Sequence, residues 1–152
     1  MSITRTVFRW AMLAYGVSFG LVAVSSAGGA FMFGFMCAYL TLVIPFVDAR
    51  FLEGRAAEAL PSLICGWINV VFLATVWIRW RCGNGRAFKI LRAATLLMMP
   101  SCWIVFYYGH LYPREGHVLW IASMVVALFS ADFESFDDSR FPTITDVTRQ
   151  AQ

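Results

Sequence analysis

The chain has 152 residues, 60% of them apolar and only 14% charged, with a formal net charge of +3. A soluble domain carries roughly a quarter charged residues, and here the charges cluster in short polar stretches between long windows that have none. That segregation points to a polytopic membrane protein, and so small and divided a net charge argues against nucleic-acid binding. The pattern predicts an all-α fold, an integral membrane helical bundle of five transmembrane helices at about 9–26, 30–47, 61–79, 92–109 and 114–131. These form one domain over 1–131, with an acidic, flexible tail over 132–152. The count falls to four if the first span is a cleaved signal or the last does not cross.

Met1 to Arg9 is a short tail carrying Arg5 and Arg9. The apolar run Trp10 to Val24 follows and ends in Ser25-Ser26-Ala27-Gly28-Gly29. A basic start, an apolar centre and small residues before Gly28 also describe a secretory signal. The next stretch is apolar again, however, so an uncleaved first span and a second from Ala30 to Val47 are expected. Gly16 and Gly20 are four apart, and Ala30, Gly34 and Ala38 continue at that spacing. Small residues at every fourth position let helix backbones approach closely in lipid. Spans one and two are therefore expected to pack as a tight antiparallel hairpin.

Pro45 closes the second span. Asp48 to Leu60 holds Arg50 with Glu53 and Arg55 with Glu58, the spacing of paired charges on a short helix lying at the membrane surface. Pro61 suits the first turn of the third span, Ser62 to Ile78. Asn69 sits near its middle, where an amide needs an interhelical partner worth roughly 0.6–2 kcal/mol. The stretch from Arg79 to Arg92 then gathers Arg79, Arg81, Arg86, Lys89 and Arg92, five of the twelve basic residues, with no acid. Asn84-Gly85 at its centre is a turn signal. These five side chains are the candidate contacts for anionic lipid headgroups, at about 1 kcal/mol per charge.

Ala93 to Tyr108 is the fourth span, and Pro100 removes one of its backbone hydrogen bonds and predicts a kink. Trp103, Tyr107, Tyr108 and Tyr112 form an aromatic belt at its end. Pro113 to His117 reads as the first turn of a fifth span, which leads into Asp132, Glu134, Asp137 and Asp138. Five crossings place the N-terminus, the 48–60 segment and the 109–117 loop on one side. The basic loop and the acidic tail then share the other. With loop 79–92 in the cytoplasm, the orientation preferred here, the basic residues divide seven inside against five outside.

Chemistry is sparse. Cys37, Cys65, Cys82 and Cys102 have no paired spacing. The apolar runs lack the acidic and basic groups that mark ion pathways. His110 and His117 flank one loop and, with Glu115 and the 48–60 carboxylates, are the candidate ligands of a small metal site. No cofactor motif, phosphate loop or catalytic dyad stands out, so an enzyme is not expected. The expected role is a small inner (plasma) membrane protein acting through protein contacts, as an accessory subunit of a complex or an immunity-type protein. Its partners are membrane lipids and a membrane protein, with a homo-oligomer as a further arrangement. The alternative is a small channel or a carrier of lipid or other apolar molecules.

Overall fold

The structure is a computed structural model that describes residues 3–47 and 56–140. Its helices are α1 (Ile3–Ser18), α2 (Gly34–Val47), α3 (Ala56–Cys82), α4 (Arg86–Met98), α5 (Pro100–Gly109) and α6 (Glu115–Arg140). Three short strands, β1 (Val22–Ser26), β2 (Phe31–Phe33) and β3 (Leu111–Pro113), join them. Two helical stretches, Leu60–Cys82 and Arg86–Gly109, are long and apolar enough to cross a membrane. Only 22% and 28% of their most apolar windows are buried against protein, whereas the core helix of a soluble protein is mostly enclosed.

The described chain is mostly helical, as expected, and three short strands are added to the helices. The strands form one antiparallel sheet of order β2-β1-β3, which replaces the end of the expected first span and the start of the second. Ser18 ends α1 with its hydroxyl donating to the Tyr15 carbonyl at 2.6 Å. Val22 and Val24 then favour extended backbone, and Gly29 turns the hairpin at φ 80°, a region that suits glycine. The Ser26 and Ala30 backbones close it, with Ser26 N–H donating to Ala30 at 2.9 Å. The other edge of β1 is filled by β3, and Arg114 adds a backbone bond to Ala23 and an Nε bond to Ser25 Oγ, 2.8 and 2.9 Å. That partner lies 89 residues away in sequence, beyond any local periodicity.

The sheet also decides which end of the bundle the start of α1 occupies. Tyr15, Asn69 and Trp120 meet at one level of the bundle. Phe8, Arg79 and Ala127 meet at another, toward the basic turn. The start of α1 therefore shares an end with the turn between α3 and α4, and the hairpin of β1 and β2 shares the opposite end with β3. The five-crossing order put the N-terminus with the 109–117 loop; the structure separates them. The rods α1, α3, α4–α5 and α6 run between the two ends, while α2 leaves the sheet and packs on the first part of α3.

The tight hairpin of the first two helices is likewise corrected. The main partner of α1 is α6, and that of α2 is α3. A Cβ on Gly16 would meet nothing within 4 Å, and one on Gly20 only its own Val17 carbonyl at 3.5 Å. Ala30 falls in the hairpin turn and is exposed. Gly34 does lie in a close approach, 2.6 Å from the Ser18 carbonyl for a built Cβ. There the first amides of α2 are capped by the end of α1, Gly34 by Leu21 and Phe35 by Phe19, both at 3.0 Å. A close helix-to-helix approach lies instead at Gly66, where a Cβ would stand 2.5 Å from the Thr41 carbonyl oxygen.

Ala11 and Tyr15 of α1, Ile68 and Phe72 of α3, Met99, and Met124, Ala127 and Leu128 of α6 form the core. Their spacing of three and four turns one stripe of each helix inward. The opposite faces present Trp10, Leu13, Trp67, Leu73, Trp77 and Leu97 outward, apolar surface on a scale that soluble monomers avoid. At Pro100 the hydrogen-bond ladder shifts between α4 and α5, while Met99 keeps helical backbone angles. Cys102 N–H moves to the Met99 carbonyl at 3.2 Å, and the Ser101 hydroxyl takes the vacated Met98 carbonyl at 2.6 Å. Helix α6 continues to Arg140, so the expected flexible tail starts as helix over 132–140. Residues 141–152 and most of the expected surface helix over 48–60 lie outside the described residues; from Ala56 the chain is already α3.

Candidate functional site

Beneath the sheet, where α1 ends and α6 begins, the bundle encloses a partly open cavity of about 110 Å³. Its roof is Ala23, Val24 and Met32 of the sheet, and its walls include Ala38 of α2, Phe106 of α5 and His117 of α6. Three constraints hold it open. Gly34 and Gly116 bring α2 and α6 against the backbone around the sheet, with a built Cβ on Gly116 only 2.8 Å from the Val22 carbonyl. Thr41 spends its hydroxyl on the Cys37 carbonyl at 2.7 Å, leaving a methyl-bearing side chain at the wall.

Asn69 lies at the floor and is the polar hub of the bundle. Its Oδ1 accepts from the Tyr15 hydroxyl and from Trp120 Nε1, each at 2.9 Å, so α1, α3 and α6 meet on one atom. Sequence spacing marks Asn69 as an amide in an apolar run, but the two donors come from 54 and 51 residues away. His117, expected beside His110 as a metal ligand, is buried at the cavity wall. Its ring packs against Phe106 at 4.5 Å and Trp120 at 5.3 Å between centroids. Its Nε2 is a buried atom without a hydrogen-bond partner. His110 instead caps α5 in the left-handed region at φ 49° and is exposed. No group of three or more His, Cys, Asp or Glu among the described residues comes together to hold a metal. Of the expected site, His110 is exposed and His117 lies in an aromatic cluster, while Asp48 and Glu53 lie outside the described residues.

The basic residues divide. Arg79 turns inward, donating from its guanidinium to the Ala127 carbonyl at 3.2 Å and Ser130 Oγ at 2.9 Å, over the Phe8 ring. It joins α3 to α6 and α1, a packing role rather than the headgroup contact expected. Arg81 lies over Trp77 and Trp80, and Arg92 over Phe88 and Phe129. Arg86 and Lys89 are exposed at the start of α4.

Ser62 and Gly66 lie four apart on α3, so the sequence does flag the face on which Gly66 meets the Thr41 backbone. What sequence reasoning missed is a pair of cysteines. Cys65 and Cys102 are free thiols whose Sγ atoms lie 3.1 Å apart between α3 and α5; a separation of 37 residues hides the pair. No family model matches this chain, and neither does any curated protein or solved structure.

Proposed function

We propose that the chain is a small multi-pass protein of the inner membrane that crosses four times and acts without catalysis, through contact with a protein partner in the bilayer. An accessory subunit of a membrane complex and an immunity-type protective protein both fit that description. The observation that carries the reading is the distribution of charge over the two ends. Arg5, Arg9, Arg79, Arg81, Arg86, Lys89 and Arg92 lie toward one end, and Arg114 is the one described basic residue toward the other. Such an excess marks the cytoplasmic side. The near-even division expected from five crossings is resolved once the N-terminus joins the basic turn.

The start of α1, the basic turn and the far end of α6 then face the cytoplasm, and the sheet faces outward. Helix α1 and the apolar part of α6, Glu115–Ser130, are short, roughly 24 Å each at 1.5 Å per residue. Local thinning of the roughly 30 Å hydrocarbon layer accommodates them. Strand β1 is paired on both edges, as backbone near the lipid requires. Arg86 and Lys89 are the side chains best placed for anionic headgroups. Affinity purification in mild detergent tests the contact reading. A partner recovered at one-to-one stoichiometry supports it; a chain that purifies alone at every detergent level removes it.

A second reading, a carrier of lipid or another apolar molecule, is favoured by one specific observation, the cavity under the sheet.

A further inference from the structure

The cavity carries a statement about its occupant, and that statement rests on the carrier reading. Indole Nε1 can only donate, so the atom of Asn69 that meets Trp120 is the oxygen, and the side chain's orientation is determined. Tyr15 donates to the same oxygen. Both lone-pair directions of Oδ1 are therefore taken, and the NH2 group, with its two donors, has no acceptor among the described residues. Asn69 is half-buried and lines the cavity. At the same wall His117, 6% exposed, leaves Nε2 without a partner. The rest of the lining is mainly carbon, from Phe19, Val105, Phe106 and Leu111 among others.

We propose that this cavity binds a lipid-phase molecule with an apolar body and a neutral carbonyl, whose oxygen accepts from the Asn69 NH2 group. Neutrality follows from the lining. Among the described residues no Arg, Lys, Asp or Glu lines the cavity, and an anion drawn out of water without a paired charge bears a large desolvation cost. A carbonyl suits the site because Asn69, its Oδ1 already filled, offers only N–H donors to an occupant. Size sets the depth of entry. A cavity of roughly 150 Å³ holds benzene, so about 110 Å³ encloses less than a whole ring, a carbonyl and the few atoms beside it. The remaining chain leaves through the open side.

Two molecules share this chemistry, a membrane quinone and the acyl ester of a glycerolipid. The test uses the full chain in detergent micelles with three probes: decylubiquinone, methyl laurate and dodecane. Probe retained through gel filtration is counted per chain by mass spectrometry. The expected result is near-stoichiometric retention of at least one carbonyl probe and at least tenfold less dodecane; the better-retained carbonyl identifies the source. Asn69→Leu and Ala38→Phe should each lower retention tenfold or more. Ala38→Phe fills the cavity from α2 and leaves the Tyr15 and Trp120 bonds of Asn69 in place, so its loss reports occupancy rather than folding. If dodecane is retained equally, and Ala38→Phe but not Asn69→Leu abolishes retention, carbonyl recognition is overturned while the carrier reading stands. If no probe is retained, both fall.

Discussion

Replacing Asn69 tests whether one side-chain oxygen ties three helices together. In Asn69→Leu the Tyr15 hydroxyl and the Trp120 N–H lose a shared acceptor at 2.9 Å each. Stranding a buried donor costs about 1–3 kcal/mol, and interhelical hydrogen bonds in membrane bundles run at roughly 0.6–2 kcal/mol. Two such losses give about 2–4 kcal/mol in total. Tyr15→Phe deletes one donor and should cost about 1 kcal/mol. In the double variant the hydroxyl is no longer there to be stranded, so the combined cost should fall short of the sum by about 1 kcal/mol. Reversible unfolding in mixed micelles, read by far-UV circular dichroism, measures all three. Additive costs within about 0.3–0.5 kcal/mol, or an Asn69→Leu variant as stable as the parent, would refute the hub.

Gly66→Ala should be strongly destabilising, because its Cβ would meet the Thr41 backbone at 2.5 Å, whereas Gly16→Ala, with nothing within 4 Å, should leave the unfolding midpoint unchanged or raised; equal effects would remove the close approach of α2 and α3. Arg79→Met should lower stability by about 1.5–3 kcal/mol, the range for hydrogen bonds to charged groups, while Arg86→Met should change it by less than about 0.5 kcal/mol; equal losses would place Arg79 at the surface. Cys65 and Cys102 should become linked by copper-phenanthroline in detergent, read as protection from maleimide mass-tagging and abolished by Cys102→Ser; full tagging after oxidation would separate α3 from α5.

The apolar runs at α3 and α4–α5 are legible because each is a long, uninterrupted stretch with a turn of Gly83-Asn84-Gly85 between them, and Pro100 announces the shift in its hydrogen-bond ladder. The run from Trp10 to Val47 misleads. Its residues are as apolar as a pair of spans, but Val22 to Phe33 meets backbone partners supplied by Leu111–Pro113, and a three-residue strand has no periodic signature. Once that segment is sheet, the count of crossings changes and so does the side of the N-terminus. The basic stretch is legible as charge; that Arg79 points inward depends on Ser130, 51 residues away. Asn69 announces itself as an amide among hydrocarbons, while its donors and the cavity beside it exist only through tertiary packing.

The arrangement of ends is the claim on which the rest depends, and single-cysteine labelling in intact cells tests it directly. In a background whose four native cysteines are serine, one cysteine is placed at Ser2, Gly28 or Asn84, and each variant is treated with a membrane-impermeant maleimide before and after permeabilisation. The account predicts that Ser2→Cys and Asn84→Cys react only after permeabilisation, while Gly28→Cys, at the sheet end, reacts in intact cells. Labelling of Ser2→Cys and Asn84→Cys from opposite sides of the membrane would contradict it.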